Sequence, residues 1–267
     1  MQRTVPSTLS ADGVLHLTCP HSWKEMTQEQ LRYALHVIGC GMYSSVEGRT
    51  LMLLRFCGIE VTRKTPYGWA CSVPVGSSDG EQHKHPFFLQ SWQVQDMIKQ
   101  LEFTDSYETM NVRLESIQGF RAVKLLLEDV PFGDYLQMEK FYQGYLSTKE
   151  QKYAVGLARF LYPYSEFAAG VTISEIDDAE LTGCVMWYSY VKKRFSGLYP
   201  HFFKPIAAVS SSSANWLEQV NAQLRALTDG DITKEDAVKA KSCRRALTEL
   251  DAKAREAEEF RKKYPNT

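Results

Sequence analysis

The second half of the sequence repeats apolar residues at the spacing of an α-helix, and this pattern limits the available folds more than any other feature. Beyond Pro131, three stretches, 132–161, 181–195 and 217–227, place apolar side chains three and four positions apart. A last stretch, 233–264, continues in the same way. We therefore expect a largely α-helical second half that ends in a helical hairpin.

Capping patterns divide this half into separate helices. Ser147 with Glu150 has the spacing of a capping box, and Pro163 ends the helix that follows. Ser174 precedes a further helix with four acidic residues in its first turns. That helix ends in three consecutive cations, Lys192, Lys193 and Arg194. Acids at the start and cations at the end both match the helix dipole.

The last helix has a narrow apolar seam. Thr233 with Asp236 opens it as another capping box, and acid–base pairs four positions apart support its exposed sides as far as about Tyr264. Leu247 and Leu250 lie at its centre, in a seam suited to one partner helix. We predict that this seam docks on another helix, either of the same chain or of another subunit.

The first 80 residues predict a small mixed region. One helix opens at Thr27 and a second covers 45–57. Two β-prone runs, 59–62 and 69–75, flank a Pro-Tyr-Gly turn, which predicts a β-hairpin. Residues 76–86 lack any periodicity and are typical of a mobile loop at a domain boundary. A helix over 88–101 should follow.

These elements predict an α+β fold in three parts. The mixed region covers 1–80, a mainly helical domain covers 81–204, and a helical hairpin covers 214–267. The Ser-rich stretch 205–213 would link the last two parts.

Composition excludes several function classes. The 31 Lys and Arg residues and 32 Asp and Glu residues give a net charge of -1, which is not that of a protein that mainly coats nucleic acid. No stretch reaches the ~18 apolar residues that span a membrane. The N-terminus lacks the apolar core of a secretory signal, so we expect a cytoplasmic protein without membrane contact.

No residue pattern predicts catalysis, a cofactor or a metal. The six cysteines contain no CxxC pair, so we expect reduced packing thiols. His83 and His85 lack a third ligand, and the tripeptide Cys19-Pro20-His21 does not establish a nucleophile with its base. The common phosphate-binding, zinc-protease and serine-hydrolase motifs do not occur.

The segment 187–204 has the most unusual composition, because aromatic and basic residues alternate in it. Such a mixture can stack bases and hold phosphates, can anchor a protein interface, or can be a core helix whose cations lie at its end. We take protein contact as the leading interpretation. The predicted partner-binding residues, including the two seam leucines, are Trp187, Tyr190, Lys192, Lys193, Arg194, Tyr199, Phe202, Phe203, Leu247 and Leu250.

Three stretches also carry a resemblance. They are FGDYLQMEKFYQGYLSTKEQKYAVGLARFLYP at 132–163, VMWYSYVKKRFSGLYPHFF at 185–203, and 224–264, which contains RALTDGDITKEDAV and ALTELDAKAREAEEFRKKY. In texture and order they resemble uncharacterised proteins encoded in the structural modules of bacteriophages and prophages, near the tail genes. The first 120 residues add nothing to this resemblance.

The resemblance implies a non-enzymatic structural or assembly protein of the tail or the head–tail connection, or an assembly chaperone. Its partners would be other phage structural or assembly proteins, with self-association as a further option, in the cytoplasm of a bacterial host or in the virion. The alternatives are a nucleic-acid-binding accessory protein and an enzyme whose site is assembled from distant residues.

Overall fold

The chain has an α+β fold in which helices dominate the C-terminal half. The computed structural model describes residues 7–10, 12–76, 82–163, 176–203 and 216–264. Two compact units divide the chain: unit 1 comprises Met1–Val112 with Asp177–Gly183, and unit 2 comprises Arg113–Ile176 with Cys184–Thr267. Neither unit is therefore one continuous stretch of sequence.

Unit 1 begins its helical part where the sequence predicted. Helix α1 (Gln28–Gly39) starts at a capping box formed by Thr27 and Gln30. Helix α2 (Ser45–Cys57) ends at Gly58, which adopts the left-handed conformation with φ 67°. Glycine reaches this conformation without a Cβ clash, so both ends of this helix pair follow from local sequence.

A three-stranded antiparallel sheet forms the rest of unit 1, beside a small two-stranded sheet. Its strands are β3 (Glu60–Thr65), β4 (Gly68–Gly76) and β5 (Gln82–Gln90), in that spatial order, while β1 (Ser7–Leu9) pairs with β2 (Leu15–Leu17). The predicted hairpin of β3 and β4 is confirmed. The loop predicted at 76–86 is wrong for 82–86, which belong to β5 and pair with β4, while 77–81 lie outside the described residues. The first segment of unit 1 runs to Val112, whereas the sequence predicted a boundary near 80.

The predicted helix over 88–101 is also partly wrong. The chain remains a strand as far as Gln90, continues as the short helix α3 (Ser91–Met97), and then forms a 3₁₀ helix over Ile98–Asp105. The large, fully buried side chains of unit 1 are Trp23, Leu31, Leu35, Met52, Leu53 and Leu101. These side chains form one core between α1, α2 and the 3₁₀ helix.

Unit 2 is mainly helical. Its elements are the hairpin of β6 (Ser116–Ile117) and β7 (Phe120–Arg121), followed by α4 (Phe132–Thr148), α5 (Gln151–Leu161), α6 (Asp178–Leu198), α7 (Trp216–Thr228), α8 (Glu235–Lys239) and α9 (Cys243–Lys263). The first turns of α6 belong to unit 1. Aromatic side chains dominate the core of unit 2, in which Phe132, Tyr135, Tyr162, Trp187, Tyr188 and Phe195 are fully buried.

Two of the predicted helix starts in unit 2 are corrected. Ser147 lies inside α4, which is followed by Lys149 in the left-handed conformation, and no side chain caps α5. The single long helix predicted from Thr233 is broken, because the backbone N–H of Phe132 donates to the Lys241 carbonyl and that of Cys243 donates to Val130. The predicted cap Ser174 lies outside the described residues.

The C-terminal hairpin is not a domain of its own. Helix α9 packs against both α4 and α7, and Leu247 and Leu250 are buried in unit 2. The predicted division at 204 and 214 is therefore corrected to one unit that holds α4 to α9, apart from the first turns of α6. The predicted linker, 205–213, lies outside the described residues.

Candidate functional site

The aromatic residues predicted to bind a partner in unit 2 belong mainly to its core. Trp187, Tyr190 and Tyr199 are buried. The indole N–H of Trp187 donates to the Leu125 carbonyl at 3.1 Å, and Arg113 lies 5.3 Å from the centre of the same ring. These side chains face the interior of unit 2, so the partner contact predicted for them stays a prediction that their burial does not favour.

Lys192 takes part in an internal ion pair. Its Nζ lies 2.7 Å from Glu139 Oε2, and the Tyr188 hydroxyl donates to Glu139 Oε1 at 2.6 Å. Burial raises the pKa of Tyr188 well above its usual value, and the negative charge of Glu139 raises it further. The phenol therefore stays protonated and remains a donor to the carboxylate.

Aromatic rings also surround the same cation. Lys192 Nζ lies 4.4 Å from the ring centre of Phe203 and 5.9 Å from that of Tyr135. Phe203 packs against Phe202, whose backbone N–H donates to Asp251 of α9 at 3.0 Å. These contacts tie the end of α6 to α9 and explain the aromatic-basic composition of the segment as internal packing.

The remaining predicted residues divide by exposure. Leu247 and Leu250 are buried, while Lys193 and Arg194 are exposed.

Near the end of α6, an open cleft of about 420 Å³ is lined by Glu128, Tyr199, Arg244, Arg245, Thr248 and Glu249. Two arginines face two glutamates in this cleft, and the Nε–H of Arg244 donates to the Tyr199 hydroxyl at 2.9 Å. The charges of the cleft therefore balance within the protein.

The thiol considered as a nucleophile is unsuited to that role. Cys19 is buried, and its pKa is raised because its side chain is hydrogen-bonded to Cys57 and because burial disfavours the thiolate. A catalytic cysteine requires the opposite shift, since the thiolate is the attacking species. Within the described residues, no group of three potential ligands could hold a metal ion.

Unit 1, in contrast, exposes three large aromatic side chains near one end of its sheet. Tyr67 is 83% exposed, Trp92 62% and Phe88 46%. Tyr67 lies in the turn before β4, Phe88 lies on β5, and Trp92 lies in the first turn of α3, directly after β5. We call these three side chains, with Gln90 between the last two, the aromatic surface.

Strand register brings the aromatic surface together. Gly68 pairs with Gln90 and Ala70 pairs with Phe88, so these four residues share the face opposite to the buried Leu89. The Trp92 indole N–H donates to Gln90 Oε1, which holds the indole beside that side chain. Gly68 has no Cβ, and an added one would lie 2.9 Å from Phe88 Cε1, so the phenyl ring lies against bare backbone.

One cation borders the aromatic surface. Arg63 on β3 pairs with Ala70 and therefore lies on the same face, across β4 from Phe88. Arg63 is exposed and has no ion-pair or hydrogen-bond partner among the residues that the structure describes. Farther along this face, Lys84 and Glu60 form an ion pair across β4. Counting the described residues only, this face carries one positive charge without an acidic partner.

The sequence prediction missed the aromatic surface because it assigned Phe88 and Trp92 to one helix. Phe87 and Leu89 lie two positions apart, which is the strand period, and this spacing was the available signal. Only the pairing with β4 decides between strand and helix for this stretch, and that pairing cannot be read from local sequence.

No helix in the described part of the chain is long and apolar enough to cross a membrane. Comparisons with known protein families, with curated protein sequences and with solved structures find no match.

Proposed function

We propose that the chain is a non-catalytic contact protein that binds a partner protein through the aromatic surface of unit 1. The observation that carries this proposal is the exposure of Tyr67, Phe88 and Trp92 around one end of a sheet whose other face is buried. Tyr and Trp are the residues most enriched at the energetic centres of protein interfaces. Tyr67 and Trp92 are of these types, and together with Phe88 they make three aromatic side chains left in water, which favours a surface that is covered in a complex.

The resemblance of the second half of the chain supplies the biological context of the proposal. It favours a structural or assembly role at a phage tail or head–tail connection, with other phage proteins or a second copy of the chain as partners. A contact role suits such a protein, because assembly needs binding surfaces and no chemical step.

Site-specific photocrosslinking tests this proposal. A benzophenone amino acid placed at Tyr67 or Trp92, in protein produced from its own locus, is expected to give one discrete crosslinked adduct with a structural or assembly protein. Adding Phe88→Ser should remove the adduct, because the partner loses its central ring contact. Tyr107 is the matched control, since it is an exposed aromatic residue of unit 1 outside the aromatic surface.

Two results would count against the contact role. The first is the lack of any adduct from Tyr67 and Trp92, and the second is an equal adduct from Tyr107. Crosslinks to nucleic acid, with binding that weakens steeply as salt rises, would instead favour the accessory-protein alternative.

A further inference from the structure

The edges of the sheet disfavour one common way of binding a peptide. Strand addition requires a free row of backbone donors and acceptors on an edge strand. On β5, Pro86 lacks an N–H, and on β3 the register shifts between Val61 and Arg63, where Thr62 donates its hydroxyl to Ala70. A ligand of this sheet should therefore lie on its face.

The face next to the aromatic surface is shallow at Ala70, whose small side chain lies between Arg63 on β3 and Phe88 on β5. The Phe88 ring covers the neighbouring Gly68, which is buried, so Ala70 is the floor of this shallow trough. The two flanking strands are about 10 Å apart, since neighbouring strands are separated by ~4.8 Å. This width admits one extended chain, whereas an α-helix with its side chains has a diameter of about 10–12 Å.

We propose that the trough and the aromatic surface bind an extended, proline-rich segment of the partner protein that carries an acidic residue. This inference rests on the proposed contact function and names the chemistry of the partner. Proline-rich segments adopt the polyproline II conformation without internal hydrogen bonds and dock on exposed aromatic rings. Their preformed shape also lowers the entropy cost of binding.

Polar groups at the trough match such a segment. Gln90 accepts from Trp92 through its Oε1, and its amide nitrogen has no acceptor among the described residues, so that nitrogen can donate to a ligand carbonyl. Arg63, which has no acidic partner in the part of the chain that the structure describes, provides a cation for an acidic side chain. Carboxylate–guanidinium pairing gives such a contact both charge and direction.

The few charges on this face disfavour single-stranded nucleic acid as the ligand. Aromatic rings also stack on bases, but most of the affinity then comes from neutralised phosphates. Arg63 alone would neutralise about one phosphate, because the ion pair of Glu60 with Lys84 cancels the other charges of this face. One neutralised phosphate contributes little at physiological salt.

NMR titration of the full-length ¹⁵N-labelled protein tests the proposal. The probe is a synthetic peptide of about twelve residues made of repeated Pro-Pro-Glu triplets, which favours the polyproline II conformation. It should shift the Trp92 indole N–H and the backbone amides of Gly68 and Ala70. A peptide of equal length and charge with glycine in place of proline should shift them at least about tenfold more weakly, the factor that corresponds to one good ring contact.

Variants then assign the contacts. Phe88→Ser and Trp92→Ala should each weaken binding about tenfold, since either removes a main ring. Tyr107→Ala should leave binding unchanged. Arg63→Ala should remove the preference for the glutamate peptide over one with glutamine in its place. Thermal unfolding of each variant checks that the fold is kept, and the comparison of peptides on the unchanged protein requires no variant.

Several outcomes would overturn the proposal. They are equal binding of the glycine peptide, no shift at peptide concentrations of about 1 mM, where a weak specific contact would be visible, or competition by an oligothymidylate of similar length. If the photocrosslinks of Tyr67 and Trp92 persist while the proline peptide fails, the contact function stands and the stated ligand chemistry is wrong. If both fail, the contact function also falls.

Discussion

Lys192, Lys193 and Arg194 are consecutive in the sequence but have different surroundings. Lys192 is largely enclosed, since its side chain is 20% exposed and pairs with a Glu139 side chain that is 12% exposed. Lys193 and Arg194 lie on the exposed side of α6. The expectation that the three cations act together in partner contact therefore applies to the last two at most.

Single substitutions should separate these roles. Lys192→Ala leaves a mostly buried carboxylate without its cation, and we expect a loss of about 2 kcal/mol in the free energy of unfolding. This is less than the loss for a fully buried ion pair, because both side chains keep some contact with solvent. The double variant Lys193→Ala with Arg194→Ala should change it by about 0.5 kcal/mol or less. Urea unfolding measures both, and equal losses would contradict the internal role of Lys192.

The six thiols should differ in reactivity. Cys40 is half-buried, whereas the other five are buried. Burial raises the pKa of Cys243 to about 12, so this thiol should remain unreactive even at pH 9. Titration of the native protein with a disulfide reagent should show one fast thiol, which Cys40→Ser removes, and all six after denaturation. More than one fast thiol would contradict the packing described for the cores.

At the level of elements, α9 is held to the start of α4 by backbone hydrogen bonds as well as by its apolar seam. Leu247→Ala should reduce the free energy of unfolding of unit 2 by about 3 kcal/mol, because Leu247 is fully buried. Hydrogen exchange should then lose protection in α4 and α5 as well as in α7 and α9. Leu217→Ala, at an exposed position of α7, is the control. If protection were lost only in residues 216–264, the C-terminal helices would form a separate hairpin, as the sequence predicted.

Gly68 gives a second test at this scale. Its φ of 151° and its closeness to the backbone of β5 leave no space for a Cβ, which would lie 2.9 Å from the Gln90 Cα. Gly68→Ala should therefore cost about 2 kcal/mol or more. Gly197→Ala, on α6 with open space around it, should be neutral or stabilising by up to about 1 kcal/mol. Thermal unfolding compares the two, and equal stability would contradict the packing at Gly68.

The elements that sequence predicted well are those defined by local chemistry. The capping box at Thr27 and the glycine at Gly58 act within one helix turn, so the bounds of α1 and α2 follow from a few residues. Strand β5 and the break before α9 depend on partners far away in sequence. At the break before α9, the backbone N–H of Phe132 donates to the Lys241 carbonyl, and no local pattern reveals that contact.

Across the whole molecule, composition alone could not separate the core from the candidate site. Trp187 and Trp92 are the same residue type, yet Trp187 is fully buried and Trp92 is 62% exposed. Burial is decided by which side of an element meets its neighbours, and that depends on the complete fold. The sequence prediction therefore selected aromatic residues of unit 2, most of which are buried, and overlooked the exposed ones of unit 1.

The division into units makes a prediction for truncated chains. Arg32 pairs with Asp177 at 3.1 Å and with Glu180 at 2.9 Å, and both acids belong to unit 1. A fragment that ends at Val112 lacks these partners. We expect its α1 to exchange amide hydrogens faster than in the full chain. Equal protection would show that residues 177–183 contribute nothing to unit 1.

The split composition of unit 1 also has a consequence during synthesis on the ribosome. After Val112 has been added, about 70 more residues must follow before Gly183 completes the unit. At roughly 5–20 residues per second, α1 waits about 4 to 14 seconds for the acids that pair with Arg32. During this interval the aromatic surface is already present on a growing chain, so a partner that binds it at this stage would meet unit 1 before its last contacts have formed.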